Sequence, residues 1–131
     1  MDSAILDTAK QTPNVCVLDA VNGMVVTESA NVKNGSVINL SGWVISSDKK
    51  APEQFVLILK GVEVYGLAST TGVSRPDVAK AVDSNAAATA GFSANTTLSN
   101  LANGTYQVLT LVQGPNGREL CNSQRQLVIN N

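Results

Sequence analysis

Residues 36–45 read SVINLSGWVI, and this stretch decides the fold. Its aliphatic side chains recur at alternate positions, which places Ile38, Leu40 and Val44 on one face of an extended chain. A period of two is the pattern of a β-strand, in which successive side chains point to opposite sides. The stretch therefore predicts a strand with one apolar face.

Comparable segments continue on both sides of this strand. Residues 54–60, QFVLILK, are apolar on both faces, which predicts a central strand that is covered on both sides. The other predicted strands are short aliphatic and Thr-rich runs at 14–19, around 23–29, at 62–69 and 91–98, and in two late segments ending at Val112 and Ile129. Turn sequences separate the strands, because glycine and asparagine tolerate the positive φ of tight hairpins. These turns are Asn22-Gly23, Asn34-Gly35, Lys60-Gly61, Asn103-Gly104 and Asn116-Gly117.

One segment has a helical pattern instead. Pro76 suits the first position of a helix, and Asp77 suits the positive end of the helix dipole. Val78, Ala81 and Val82 would then face the core. With seven or eight strands and one short helix around 76–82, the sequence predicts an all-β sandwich.

The length of 131 residues fits one domain, with 1–13 as a flexible lead-in and 14–131 as the sandwich. The net charge is −1 with no run of like charge, which argues against a nucleic-acid partner and against an anionic membrane surface. No apolar run is long enough to span a membrane, so direct membrane insertion is not expected. The acidic start does not fit a signal peptide. Met1 is interpreted as the start of an excised domain, with a complete small cytosolic protein as the alternative.

The sequence contains no histidine. This removes the commonest general base and the commonest metal ligand. Two cysteines alone cannot complete a four-ligand zinc site, and the aspartates lack the spacing of a calcium loop. We therefore expect no catalytic residues, no metal and no cofactor.

Cys16 and Cys121 are the only cysteines, and each lies in a predicted terminal strand. They could be neighbours in the folded sandwich and form a disulfide, which would favour an oxidising compartment. The alternative is two buried thiols that pack as small apolar residues.

Four residues are candidate ligand or structural contacts: Trp43, Tyr65, Arg75 and Asp77. Trp43, the only tryptophan, is either a platform that stacks on a sugar ring or a packing residue. Arg75 could hold a ligand through its planar guanidinium, or fix its loop by bonding to carbonyls or to Asp77. In the ligand reading, Arg75 would lie exposed beside Tyr65 or Trp43. Ser74 is a candidate N-cap of the helix.

The segment from Leu98 to Val108 resembles the tyrosine corner of immunoglobulin-like and fibronectin-like sandwiches. In such a corner, the Tyr106 hydroxyl would bond back to the loop at 101–103. This predicts a structural role for Tyr106.

Several motifs together are similar to an immunoglobulin-like β-sandwich module of bacterial cell-envelope proteins. They are Ser41-Gly42-Trp43-Val44, the hairpin that turns at Lys60-Gly61, Arg75-Pro76-Asp77-Val78-Ala79, Gly91-Phe92, and Gly104-Thr105-Tyr106. The resemblance covers residues 36–129, and such modules are often appended to membrane-embedded glycosyltransferases and other surface-glycan enzymes. One departure is Lys60-Gly61, where Asp-Gly or Asn-Gly is usual. We expect Gly61 to supply the conformational freedom that the turn needs.

The resemblance implies an extracytoplasmic, periplasmic or cell-surface, location and no catalytic residues. The expected function is a non-catalytic accessory module of a larger envelope protein, associated with glycan. The alternative is a free-standing carbohydrate- or protein-binding domain. The expected partners are accordingly a glycan or the rest of the larger protein.

Overall fold

The structure is a computed structural model that describes residues 8–12, 15–98, 101–115 and 117–131. Within these residues the chain forms ten strands, one α-helix and one 3₁₀ turn. In chain order they are β1 (Lys10–Gln11), β2 (Cys16–Val21), β3 (Met24–Val25), β4 (Ser29–Lys33), β5 (Val37–Val44), β6 (Gln54–Lys60), β7 (Val64–Thr70), α1 (Pro76–Val82), the 3₁₀ turn (Asn85–Ala87), β8 (Gly91–Thr97), β9 (Gly104–Gly114) and β10 (Gly117–Asn130).

Two packed sheets form the molecule, which confirms the predicted all-β sandwich with one short helix. The six-stranded sheet has the order β1-β10-β9-β6-β7, with β4 also paired to β10. The four-stranded sheet has the order β3-β2-β5-β8. The strand count exceeds the expected seven or eight because β1 and β3 have only two residues each. The first of these lies in the predicted lead-in, where residues 10 and 11 pair in parallel with β10.

The core lies between the sheets and is built from the alternating faces that the sequence predicts. Ile38, Leu40 and Val44 of β5 are buried there. Strand β6 pairs with β7 on one side and with β9 on the other, so it is an interior strand of its sheet, as predicted. Both of its faces are apolar: Leu57 points into the main core, and Ile58 belongs to a second cluster.

Cys16 of β2 and Cys121 of β10 are joined by a disulfide. Their Cα atoms are 6.2 Å apart and 105 residues apart in sequence. Because β2 and β10 belong to different sheets, the bond connects the two layers within the main core. The disulfide thus fixes the early strand β2 to the late strand β10.

The helix packs across one end of the four-stranded sheet. Val78 is buried against Ile45, but Ala81 is exposed, so the predicted apolar face was wrong at that position. Arg75 occupies the N-cap position without a side-chain cap bond, and Ser74 is not the cap. The helix ends at Asp83, which adopts the left-handed conformation with φ of 55°.

Two of the predicted turns show different physical reasons for glycine. Asn22 and Gly23 have φ of 53° and 79°, which is the two-residue hairpin geometry that this pair favours. Gly61 has no positive φ, so the expectation of conformational freedom there was wrong. A Cβ at Gly61 would lie 2.9 Å from Cδ2 of Tyr106, so glycine is needed for space.

Candidate functional site

The outward side of the four-stranded sheet carries a row of uncharged polar side chains. Since residues 38, 40, 42 and 44 of β5 point inward, its other residues point outward. Asn39 lies opposite Asn95 of β8, and Ser41 lies opposite Ser93. We call these four residues together with Trp43 the polar face.

Hydrogen bonds connect three side chains of the polar face. Asn39 donates through Nδ2 to Oγ of Ser93, at 2.8 Å, and to Oδ1 of Asn95, at 3.0 Å. Among the described residues, the Asn95 amide nitrogen and the Ser41 hydroxyl have no hydrogen-bond partner. An ordered array of neutral donors and acceptors thus remains available to a ligand.

Trp43 lies at one end of this face and has a divided environment. It pairs with Val17 of β2 and with Gly91 of β8. Part of the ring packs against the cluster under the helix, which includes Val78 and Ala90. The side chain is half-buried, so packing accounts for one part of it and the remainder is exposed on the polar face.

Arg75 lies at the Trp43 end of the polar face, because its stem is close to Gly91, the residue of β8 that pairs with Trp43. Its Nη1 lies 2.7 Å from Oδ2 of Asp19, and its Nε and Nη2 donate to the two carboxylate oxygens of Asp77 at 3.0 and 2.8 Å. Only 24% of the side chain is exposed. The hydrogen bonds to Asp77 raise the pKa of Arg75, and they lower the pKa of Asp77 to about 2.

The guanidinium is therefore engaged with protein carboxylates on both sides. Its contacts join the helix segment to β2, which carries Asp19. This agrees with the loop-fixing role considered for Arg75, with Asp77 as its partner, and it makes Arg75 a poor candidate for binding an anion.

Two of the motifs contain a glycine, Gly42 or Gly91, at a position where a neighbouring residue lies too close for any side chain. A Cβ at Gly42 would lie 2.0 Å from the carbonyl oxygen of Val17. A Cβ at Gly91 would lie 2.8 Å from Cγ of Arg75. Gly42 thus allows the main chain of β2 to approach β5 closely, and Gly91 leaves space for the Arg75 stem beside β8.

Tyr65 and Tyr106 lie elsewhere, on the six-stranded sheet. Their ring centroids are 6.0 Å apart, and Tyr65 donates a hydrogen bond to Glu63 that raises the pKa of its own hydroxyl. The fully buried Tyr106 donates to the carbonyl oxygen of Ala102 at 2.6 Å, and burial raises its pKa. The structure therefore joins Arg75 to Asp77 near the strand position that pairs with Trp43, and it places Tyr65 on the other sheet.

Several residues of the site region were not predicted from the sequence. Asp19 lies at an irregularity of β2, and no sequence pattern links it to Arg75. Asn95 and Ser93 had a weak signal, since alternation along 91–98 places them on the face opposite Phe92. Register between β5 and β8 was the missing information.

A second concave region lies where one end of β6, β7 and β9 meets the start of β10. It is a groove of about 430 Å³, and its lining includes Gln54, Val56, Leu111, Gln113 and the exposed Arg118. None of the candidate residues predicted from the sequence lines this groove, so it is an alternative to the polar face as a ligand site.

No protein-family model matches the chain, and no curated protein sequence is similar to it. In the described part of the chain, no three His, Cys, Asp or Glu residues are grouped so as to hold a metal ion. The helices described here are too short or too polar to cross a membrane.

Proposed function

We propose that this chain is a non-catalytic accessory module of a larger bacterial envelope protein, and that it contacts glycan through the polar face. The observation that carries the proposal is the cluster of neutral polar side chains on adjacent strands, Asn39, Ser41, Ser93 and Asn95, beside a half-buried tryptophan. Sugars present neutral hydroxyl groups and apolar ring faces, which match neutral amides and an aromatic edge. The absence of charged residues among these five side chains favours a neutral ligand over a charged one.

The proposed extracytoplasmic location is supported by the disulfide. A cross-link between the two sheets persists in oxidising compartments and is rare in the cytosol. The envelope context itself rests on the resemblance of the motifs, which is an argument by analogy.

The expected affinity is weak because the polar face offers only a few hydrogen-bonding groups. Three or four hydrogen bonds worth about 1 kcal/mol each give roughly 4 kcal/mol, which corresponds to a dissociation constant of about 1 mM. A role in positioning a larger protein on a polymeric glycan tolerates such an affinity, since repeated contacts add avidity.

The test is a glycan array probed with biotinylated domain that is tetramerised on streptavidin. We expect binding to a subset of neutral oligosaccharides. Asn39→Ala and Asn95→Ala should reduce the signal at least fivefold, whereas Gln126→Ala, an exposed amide on β10, should leave it unchanged. Binding that is insensitive to both substitutions on the polar face would contradict the proposed site, and no binding at all would contradict the glycan role.

The alternative function is a free-standing carbohydrate- or protein-binding domain. The coding sequence around this chain distinguishes the two: membrane-spanning segments or an enzyme domain in the same polypeptide support the accessory module. A secreted protein that consists of this domain alone supports the alternative.

A further inference from the structure

Asparagine is followed by glycine at several turns of the chain. Within the described residues these pairs are Asn22-Gly23, Asn34-Gly35 and Asn103-Gly104, and the Asn116 of a fourth pair lies outside them. In such a pair the main-chain nitrogen of the glycine can attack the side-chain amide of the asparagine, because glycine has no side chain to hinder the approach. Since the three described pairs have the same two residues, the fold decides which of them reacts.

The side-chain carbonyl of Asn22 is polarised by the neighbouring strand β5. The N–H of Asn39 donates to Oδ1 of Asn22 at 2.9 Å, and the N–H of Asn22 donates to the carbonyl oxygen of Asn39 at 2.8 Å. A donor at this distance stabilises the negative charge that develops on Oδ1 when Cγ is attacked. The fold therefore makes Cγ of Asn22 more electrophilic.

The nitrogen that would attack Asn22 is accessible. Gly23 is exposed, and its N–H has no hydrogen-bond partner among the described residues. The arm of the hairpin that follows it is the two-residue strand β3, in which Met24 and Val25 are 75% and 82% exposed. Because little packs on this arm, local opening costs little and lets the Gly23 nitrogen turn toward Cγ. The two bonds between Asn22 and Asn39 lie on the other side of the turn and do not depend on β3.

The other two pairs are held in place. The Gly35 N–H donates to the carbonyl oxygen of Leu98 at 2.8 Å, and Nδ2 of Asn34 donates at 2.9 Å to the carbonyl oxygen of Leu101 and at 2.7 Å to Oδ1 of Asn103. Gly104 is the first residue of the long strand β9 and pairs with β10. Both the nucleophile and the side chain are therefore fixed at Asn34, and rotation at Asn103 requires opening the end of a ladder.

We propose that Asn22 is a site of spontaneous deamidation in the folded domain, with water and hydroxide as the co-reactants. The Gly23 nitrogen gives its proton to hydroxide and bonds to Cγ of Asn22, and Nδ2 takes up a proton from water and leaves as ammonia. Water then opens the resulting succinimide at one of its two carbonyl groups. Opening at the main-chain carbonyl gives isoaspartate, and opening at the former side-chain carbonyl gives aspartate.

The two products affect β5 differently. Aspartate keeps an acceptor oxygen at the position of Oδ1, so the bond from the Asn39 N–H is retained. Isoaspartate adds a CH₂ group to the main chain at residue 22, so its N–H and its acceptor oxygen no longer both reach Asn39. Because Asn39 belongs to the polar face, isoaspartate should also weaken glycan binding, and this consequence rests on the proposed function, whereas the reaction itself does not.

The test ages the whole domain at mildly alkaline pH and follows each asparagine by peptide mapping and mass spectrometry, with no ligand present. We expect Asn22 to convert at least fivefold faster than Asn34 and Asn103. In urea with reductant the contacts of the fold are lost, so the three rates should agree within about twofold. Conversion of Asn22 that is no faster than that of Asn34 in the folded domain, or a preference for Asn22 that persists in urea, would overturn the proposal.

A matched pair of variants connects the reaction to β5. In ¹⁵N spectra the aged wild-type domain should gain a second main-chain amide signal for Asn39, and aged Asn34→Ala should gain the same signal. Aged Asn22→Ala, which cannot form the succinimide at residue 22, should not gain it. A second Asn39 signal in aged Asn22→Ala would contradict the assignment of the change to Asn22.

Discussion

Removal of the Cys16–Cys121 disulfide should lower stability by an amount that follows from the loop it closes. The cysteines are 105 residues apart, and chain entropy for such a loop gives about 4.8 kcal/mol. Measured losses for native disulfides are about 2–5 kcal/mol, so we expect about 3–4 kcal/mol here. With an unfolding entropy of about 0.28 kcal/mol/K for 131 residues, this lowers the Tm by about 10–15 °C.

The assay is thermal unfolding followed by circular dichroism at pH 7. The perturbation is the double variant Cys16→Ala/Cys121→Ala, which leaves no single thiol to form intermolecular bonds. Reductant should bring the wild-type Tm down toward that of the double variant and should not affect the double variant. A double variant that melts within about 2 °C of wild type, or two reactive thiols in the native, unreduced protein, would refute the reasoning.

Three further perturbations test the architecture around the site. Tyr106→Phe removes one buried hydrogen bond and should cost about 0.5–1.5 kcal/mol in chemical denaturation without changing ligand binding; an unchanged midpoint would contradict the corner. Arg75→Ala should cost about 1–3 kcal/mol because it leaves its carboxylate partners unpaired, whereas Lys80→Ala on the exposed helix surface should be neutral. Because the folded pKa of Asp77 is depressed to about 2, the contribution of its ion pair with Arg75 to the free energy of unfolding should be complete above pH 4 and should disappear as pH falls toward 2. The variant Asp77→Asn should lack this part of the acid dependence. Gly42→Ala places a Cβ against the main chain of β2 and should destabilise more than any of these, which urea unfolding would show.

The layered fold could be predicted because it depends on local patterns. Alternation along 36–45 and the apolar run at 54–60 identified β5 and β6 within one residue at each end. Pro76 and Asp77 placed the helix correctly. Such signals lie within a few consecutive residues, so a single sequence contains them.

The candidate site depended on information that is not local. The pairing of Asn39 with Asn95 follows from the register of β5 against β8, and turn sequences between distant strands do not fix it. The Arg75–Asp19 contact spans 56 residues and arises where β2 is irregular. The bulge in β10, where Gln124 adopts φ of 59°, had no signal either, since glycine is the residue expected there.

The central claim, that the polar face contacts glycan, is tested most directly by ¹⁵N spectra of the domain titrated with its best oligosaccharide from the array. The account predicts progressive, saturable shifts of the side-chain amides of Asn39 and Asn95 and of the Trp43 indole N–H, with a dissociation constant of about 1 mM. Shifts that instead centre on the groove beside Arg118, with the polar face unchanged, would contradict it.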